Sequence, residues 1–273
     1  RTFLDYFYAD DLRVRFEHEK SIDEKYLKTQ VFGPHWPDEK WHEILCLVAV
    51  MIHQSNLSNI LEFILAQSDA EQTCQHIFLA ARCVSEVRGG SNFSGIADIV
   101  KQHLAELVQF DLHHYYKPWG SDADRVSLIR TRAVTLRANV WLGDAETCVW
   151  LKTCAQTGKD SEVRQVAVQA LARGWKDDPG TWHWLKTLVQ TDKSVTVRQT
   201  AVQELAQGWE GDPDTLTILK ICAQTDENGA VRWAAVKALA ALDWKNDPDI
   251  MVILMRPKAD ENGALRWIAT MAL

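Results

Sequence analysis

A 34-residue beat in the second half of the chain limits its possible folds more than any other feature. Val163-Arg164, Val197-Arg198, Val231-Arg232 and Leu265-Arg266 stand one period apart, and one step back falls Ile129-Arg130. Trp141, Trp175 and Trp209 keep the same beat, with Trp244 one residue late. Asp178-Pro179, Asp212-Pro213 and Asp247-Pro248 recur, as do Leu151-Lys152, Leu185-Lys186 and Leu219-Lys220. Registers kept in phase this way are the signature of a repeat architecture. One unit cannot bury its apolar face alone, so neighbours must stack.

Each unit reads as two helices. Asp-Pro starts the first, because an Asp side chain caps free N–H groups and proline is tolerated at the first helical position. In the third unit Leu216, Leu219 and Ala223 keep the spacing of one helix face. Thr225-Asp226-Glu227-Asn228-Gly229 then breaks the pattern with turn chemistry. A second helix over 230–242 is expected to bury Val231, Ala234, Ala235, Ala238 and Leu239, with small alanines letting neighbours approach closely.

A tetratricopeptide repeat has the same length, but its Trp, Gly-Tyr and Ala-Phe landmarks are not in register here. An Asp six residues before the Arg gives the pairs Asp124/Arg130, Asp192/Arg198, Asp226/Arg232 and Asp260/Arg266, and this pattern resembles the HEAT repeat. The unit of Arg164 departs, with Gly158 in the Asp position and Asp160 nearby. The resemblance implies that these Asp and Arg residues form a structural ladder between adjacent repeats. It also implies an all-α fold: a helical domain over 1–119, then an α-solenoid of four to five helix pairs over 120–273.

The first half lacks the beat but stays helical in pattern, with helices expected near 2–18, 38–54, 56–67, 71–88 and 95–110. Trp41, Ile44, Leu45, Val48 and Ile52 share one face, as in an amphipathic core helix. Glu17-His18-Glu19 and Trp41-His42-Glu43 read as surface charge. Loops fall at Arg88–Gly95 and at His113–Gly120, the second being the expected domain boundary.

Arg1-Thr-Phe-Leu-Asp-Tyr-Phe-Tyr-Ala9 resembles the aromatic-rich helix beyond the winged-helix region of NACHT-type STAND ATPases, and residues 31–45 resemble its continuation. Cyanobacterial NACHT proteins with C-terminal repeats of the Trp-Lys-Asp-Asp-Pro kind are similar. The resemblance implies a sensor arm whose nucleotide site, effector and any oligomerisation lie in a preceding ATPase part. A start without Met inside a helix-like run, and an end within another, fit a piece of a longer protein.

Hydrophobic residues make up 47% and charged residues 25%, a globular composition. The net charge of −7 gives no support to phosphate-led nucleic-acid binding. Cys46, Cys74, Cys83, Cys148, Cys154 and Cys222 form no C-x-x-C pair and sit among apolar residues, which suggests buried thiols in a reducing, cytoplasmic setting. The longest apolar run, 44–52, falls well short of the about 20 residues that span a bilayer.

Catalytic chemistry finds no motif. Gly90–Gly95 has the outer glycines of a P-loop, but Ile96-Ala97 replaces its Lys-Ser/Thr pair. His113-His114 lacks a second ligand cluster at helical spacing. No metal or cofactor is expected, and Asn92-Phe93-Ser94 is a lone glycosylation triplet.

A binding stripe stands out instead. After the ladder Arg the residues run Thr131, Gln165, Gln199, Trp233 and Trp267, and four further on Thr135, Gln169, Gln203, Lys237 and Met271. Packed helices lie about 8–10 Å apart, so equivalent positions form a row. Gln165, Gln199, Trp233, Trp267, Gln203 and Lys237 are the candidate contacts for a protein or other macromolecular partner. The function expected is a non-catalytic sensing arm of a NACHT-type ATPase. The alternatives are a stand-alone HEAT scaffold and a phycobilisome lyase-type protein.

Overall fold

The computed structural model describes residues 2–87, 94–112, 121–241 and 247–255. Among them every regular element is helical. The chain divides into two compact units, residues 1–141 and 142–273.

In the first unit, α1 (Thr2–Arg13) continues into a wide π-turn over Val14–His18. Short turns α2 (Glu24–Tyr26) and α3 (Gly33–His35) flank a second π-segment, Leu27–Phe32. No helix is expected over 19–37 from the sequence pattern, yet this stretch buries Leu27, Val31 and Phe32. Helices α4 (His42–Met51), α5 (Gln54–Leu65), α6 (Gln75–Glu86) and α7 (Ser94–Leu107) follow near their expected positions.

Helix α6 is the centre of the unit, with Ile77, Phe78, Leu79, Ala80, Ala81, Cys83 and Val84 all buried. A helix apolar nearly all round is one packed on most sides. Against it lies α8 (Ser121–Val140), where Ile129 and Ala133 join the same core. The Arg132 guanidinium sits 4.4 Å from the Phe78 ring centroid and bonds Glu39 at 2.8 Å. These contacts tie α8 to the first unit, so the division falls after Trp141, one helix later than the loop at 113–120 suggested.

His42 corrects the surface reading of Trp41-His42-Glu43. It is fully buried, and its Nε2 lies 2.8 Å from the Trp36 carbonyl oxygen. A carbonyl only accepts, so Nε2 carries the proton. Burial pulls the ring's pKa below its usual value, against the smaller opposing effect of that hydrogen bond.

The second unit is built of helix pairs: α9 (Ala145–Thr157) with α10 (Ser161–Gly174), α11 (Pro179–Thr191) with α12 (Val195–Gly208), and α13 (Pro213–Thr225) with α14 (Gly229–Ala241). Helix α15 (Pro248–Met255) follows the third pair. Asp144, Asp178 and Asp212 each accept a backbone N–H at the start of their helix, and Asp247 accepts those of Asp249 and Ile250. The Asp-Pro signal therefore works as the sequence chemistry requires. In α13 the buried face is Thr215, Ile218, Leu219 and Cys222, with Leu216 and Ala223 only half-buried, so the face is rotated from the expected one. In α14 Val231, Ala234, Ala235 and Leu239 are buried as expected, whereas Ala238 is only half-buried and Val236 is buried in addition.

Candidate functional site

The turns between the paired helices carry the ladder arginines. Arg198 Nη1 donates to the Asp192 main-chain carbonyl at 2.9 Å, Arg232 Nη1 to that of Asp226 at 2.9 Å, and Arg164 Nη1 to that of Gly158 at 2.7 Å. The contact six residues back thus uses a carbonyl, not a carboxylate. Gly158 can stand in for Asp because every residue offers that group.

The carboxylate acts one repeat ahead. Arg198 Nε and Nη2 donate to the two Asp226 oxygens, each at 3.0 Å, and Nη2 also reaches Glu227 at 3.3 Å. Both side chains of the main pair are buried, 6% and 8% exposed. The Asp226 carboxylate raises the already high pKa of Arg198, outweighing the opposing effect of burial. A bidentate pair of this kind fixes the register of α12 against the next repeat.

The earliest pair is built differently. Asp124 lies exposed inside the unbroken helix α8, not in a turn, and Arg130 Nε donates to the Phe110 carbonyl at 2.8 Å. Asp260, Arg266, Trp267 and Trp244 fall outside the described residues, as do His113-His114 and most of the Gly90–Gly95 loop.

A second set of contacts between repeats was hidden in the Leu-Lys beat. Lys152 Nζ reaches the helix-capping Asp178 at 3.3 Å, and Lys220 Nζ reaches Asp247 at 2.6 Å. Backbone N–H from Gly180, then Lys152, hold the Asp178 carboxyl below its usual range, and Lys220 does the same for Asp247. Lys186 breaks the series and lies 5.1 Å from the Trp182 ring centroid. The Trp182 indole N–H donates to Thr215 Oγ1 at 2.9 Å, a buried link between neighbouring pairs. The buried Thr147, Thr181 and Thr215 keep the 34-residue beat and were legible, but their small polar side chains gave no reason to single them out.

The candidate stripe runs over the second helices. Gln165 on α10, Gln199 and Gln203 on α12, and Trp233 on α14 are half-buried, while Lys237 is exposed with Nζ 5.2 Å from the Trp233 ring centroid. Between α12 and α14 lies a groove of about 410 Å³. Ala206, Ala234, Ala238 and Ala241 form its small-residue lining, with Gln203, Gln207, Glu210 and Lys237 supplying polar groups. Trp175 is buried and Trp209 half-buried at the ends of α10 and α12.

All six cysteines are free thiols and buried. Burial pushes the Cys74 and Cys222 thiols up to about 12, away from thiolate chemistry. Among the described residues no three His, Cys, Asp or Glu side chains converge as metal ligands, and no helix is long and apolar enough to cross a membrane.

Residues 150–240, and again 182–273, match the family model of HEAT repeats. No curated protein matches the chain. The match coincides with the stacked helix pairs, and the fold is that of an all-α solenoid with HEAT repeats. Such repeats commonly serve as scaffolds for protein–protein contact.

Proposed function

We propose that the chain is a non-catalytic protein-binding arm that holds its partner on the second-helix face, at the groove between α12 and α14. The observation that carries this reading is the groove's make-up: an alanine lining with polar groups at its walls, beside a half-buried tryptophan. Small side chains leave room for a partner's apolar groups. Gln203, Gln207 and Lys237 offer directional contacts, and a partly exposed Trp is the residue type most enriched at binding hot spots.

The finer reading sets this arm in a NACHT-type signalling ATPase, on the resemblance of residues 1–9 and 31–45. One observation favours it over a stand-alone scaffold. Helix α1 buries Ala9 and Leu12 but leaves Phe3, Leu4 and Phe7 exposed at 81%, 76% and 63%. An apolar patch of this kind marks a contact with another protein body. A P-loop encoded upstream in the same reading frame supports this reading, and a frame without one contradicts it.

The groove is tested by affinity capture from the native host with quantitative mass spectrometry. Trp233→Ala and Lys237→Glu are expected to lose a specific partner while the melting temperature stays near that of the parent. A large fall in melting temperature for Trp233→Ala, with the partner still captured by Lys237→Glu, contradicts it and makes Trp233 a packing residue.

A further inference from the structure

Arg164 and Arg198 occupy equivalent positions one repeat apart, yet only one is held by carboxylates. Arg198 has Asp226 and Glu227. Arg164 donates to the Gly158 carbonyl and makes no ion pair among the described residues, although Asp192 stands in the place of Asp226. The residue after the ladder Asp position explains the difference. It reads Lys159, Lys193 and Glu227 in successive units. Where Glu227 draws its arginine forward, Lys193 repels it.

Asp192 Oδ1 accepts the Ser194 N–H at 2.7 Å, just as Asp226 Oδ1 accepts that of Asn228 at 2.8 Å, so the cap is common to both turns and the charge of the next residue is what differs. Beside Arg164 is a cavity of about 530 Å³, lined by Trp184 and Leu188 and by the charged Lys193 and Asp192, so its two cations outnumber its one carboxylate. Lys159 and Lys193 are both exposed on neighbouring turns.

We propose that this turn edge is a docking site for an acidic segment of a partner protein, with one carboxylate taking on Arg164 the place that Asp226 takes on Arg198. The site lies on the turns and is independent of the α12–α14 groove. A guanidinium fork matches a carboxylate in two parallel hydrogen bonds. The two flanking ammonium groups receive further acidic side chains, and the Trp184–Leu188 wall accepts the methylene stem of a glutamate. A cavity this size exceeds what a single small anion fills. The chain's overall negative charge does not prevent the approach, because it is screened beyond about 8–10 Å at physiological salt.

The test is fluorescence anisotropy of a labelled, Glu-rich peptide with the full 273-residue chain. Saturable binding that weakens as salt rises is expected. Arg164→Gln and Lys193→Glu each lower the affinity about tenfold or more, the size of effect that loss of a desolvated charge partner produces. Lys193→Glu recreates the Asp-Glu pair that closes the next rung, so it should keep or raise the melting temperature while losing the peptide. Lys176→Glu, the same charge change at an opposite turn, leaves binding within about twofold by the same screening argument. Absence of saturable binding overturns the proposal, as does an equal loss with Lys176→Glu. Binding of a single-stranded oligonucleotide, or of inorganic phosphate alone, in preference to the peptide also overturns it.

Discussion

The two units bury their interiors by different means. Around α6 in the first unit, large side chains from far apart in sequence meet: Leu12, Phe32, Leu45 and Leu104 are all fully buried in the cluster that holds Phe78. The second unit has a thin core of Leu, Val and Ala, crossed at each period by polar links between neighbours, such as Arg198–Asp226, Lys220–Asp247 and Trp182–Thr215. A central core transmits any void to the whole unit. A stack of repeats feels a broken link chiefly at one interface.

The comparison breaks first at Phe78. Phe78→Ala leaves a cavity in the middle of the first unit and should cost about 3–5 kcal/mol. Hydrogen exchange should then rise across α4, α6 and α8 together; a rise confined to α6 would mean that the unit is also a chain of local contacts.

In the second unit, Asp226→Ala removes the bidentate partner of the buried Arg198, leaving it the Asp192 carbonyl and the exposed Glu227. Its cost is expected at about 2–3 kcal/mol, the scale of charged hydrogen bonds left unmade. Chemical denaturation gives the magnitude, and exchange should rise in α12, α13 and α14 far more than in α9. Uniform loosening of every repeat would contradict nearest-neighbour coupling.

The pH response separates the units further. His42 has its pKa lowered by burial, so the unfolded chain binds the proton more readily. Stability from this group is complete above the ordinary histidine value and falls as pH drops below about 6.5. The melting temperature of the parent should decline as pH falls below about 6.5, with a shallower decline in His42→Gln. Asp178 and Asp247, with lowered values, lose their contribution only at more acid pH, on falling through their folded pKa. The smallest effect is Lys220→Met. Its pair with Asp247 is solvent-screened, so the melting temperature should fall only slightly.

Legibility in the sequence followed the same division. The beat in Asp-Pro, Leu-Lys and Val-Arg revealed the helix pairs and their caps, because each repeat solves the same local problem with the same residues. The resemblance names both Arg198 and Asp226 as rungs of a ladder between adjacent repeats, but not which carboxylate meets which arginine. The six-residue spacing points to Asp192, which meets Arg198 through its main-chain carbonyl, whereas the carboxylate comes from Asp226 one repeat ahead. In the first unit the periodicity gave the helices but missed residues 24–35, where π-turns erase the 3.6-residue period. His42 read as surface because flanking Trp and Glu hid a carbonyl partner six residues back. The stripe positions were legible as a row, but the groove beside them depends on Ala206, which attracts no notice in a sequence, and on Ala238, which reads as core.

Site-specific photocrosslinking in the native host tests the proposed binding face most directly. A benzophenone side chain at position 203 or 237, on the groove, is compared with one at position 217, exposed on the first helix α13. The account predicts one adduct of defined mass from 203 and 237 and none from 217. Adducts from 217 alone, or equally from both faces, would contradict a partner seated between α12 and α14.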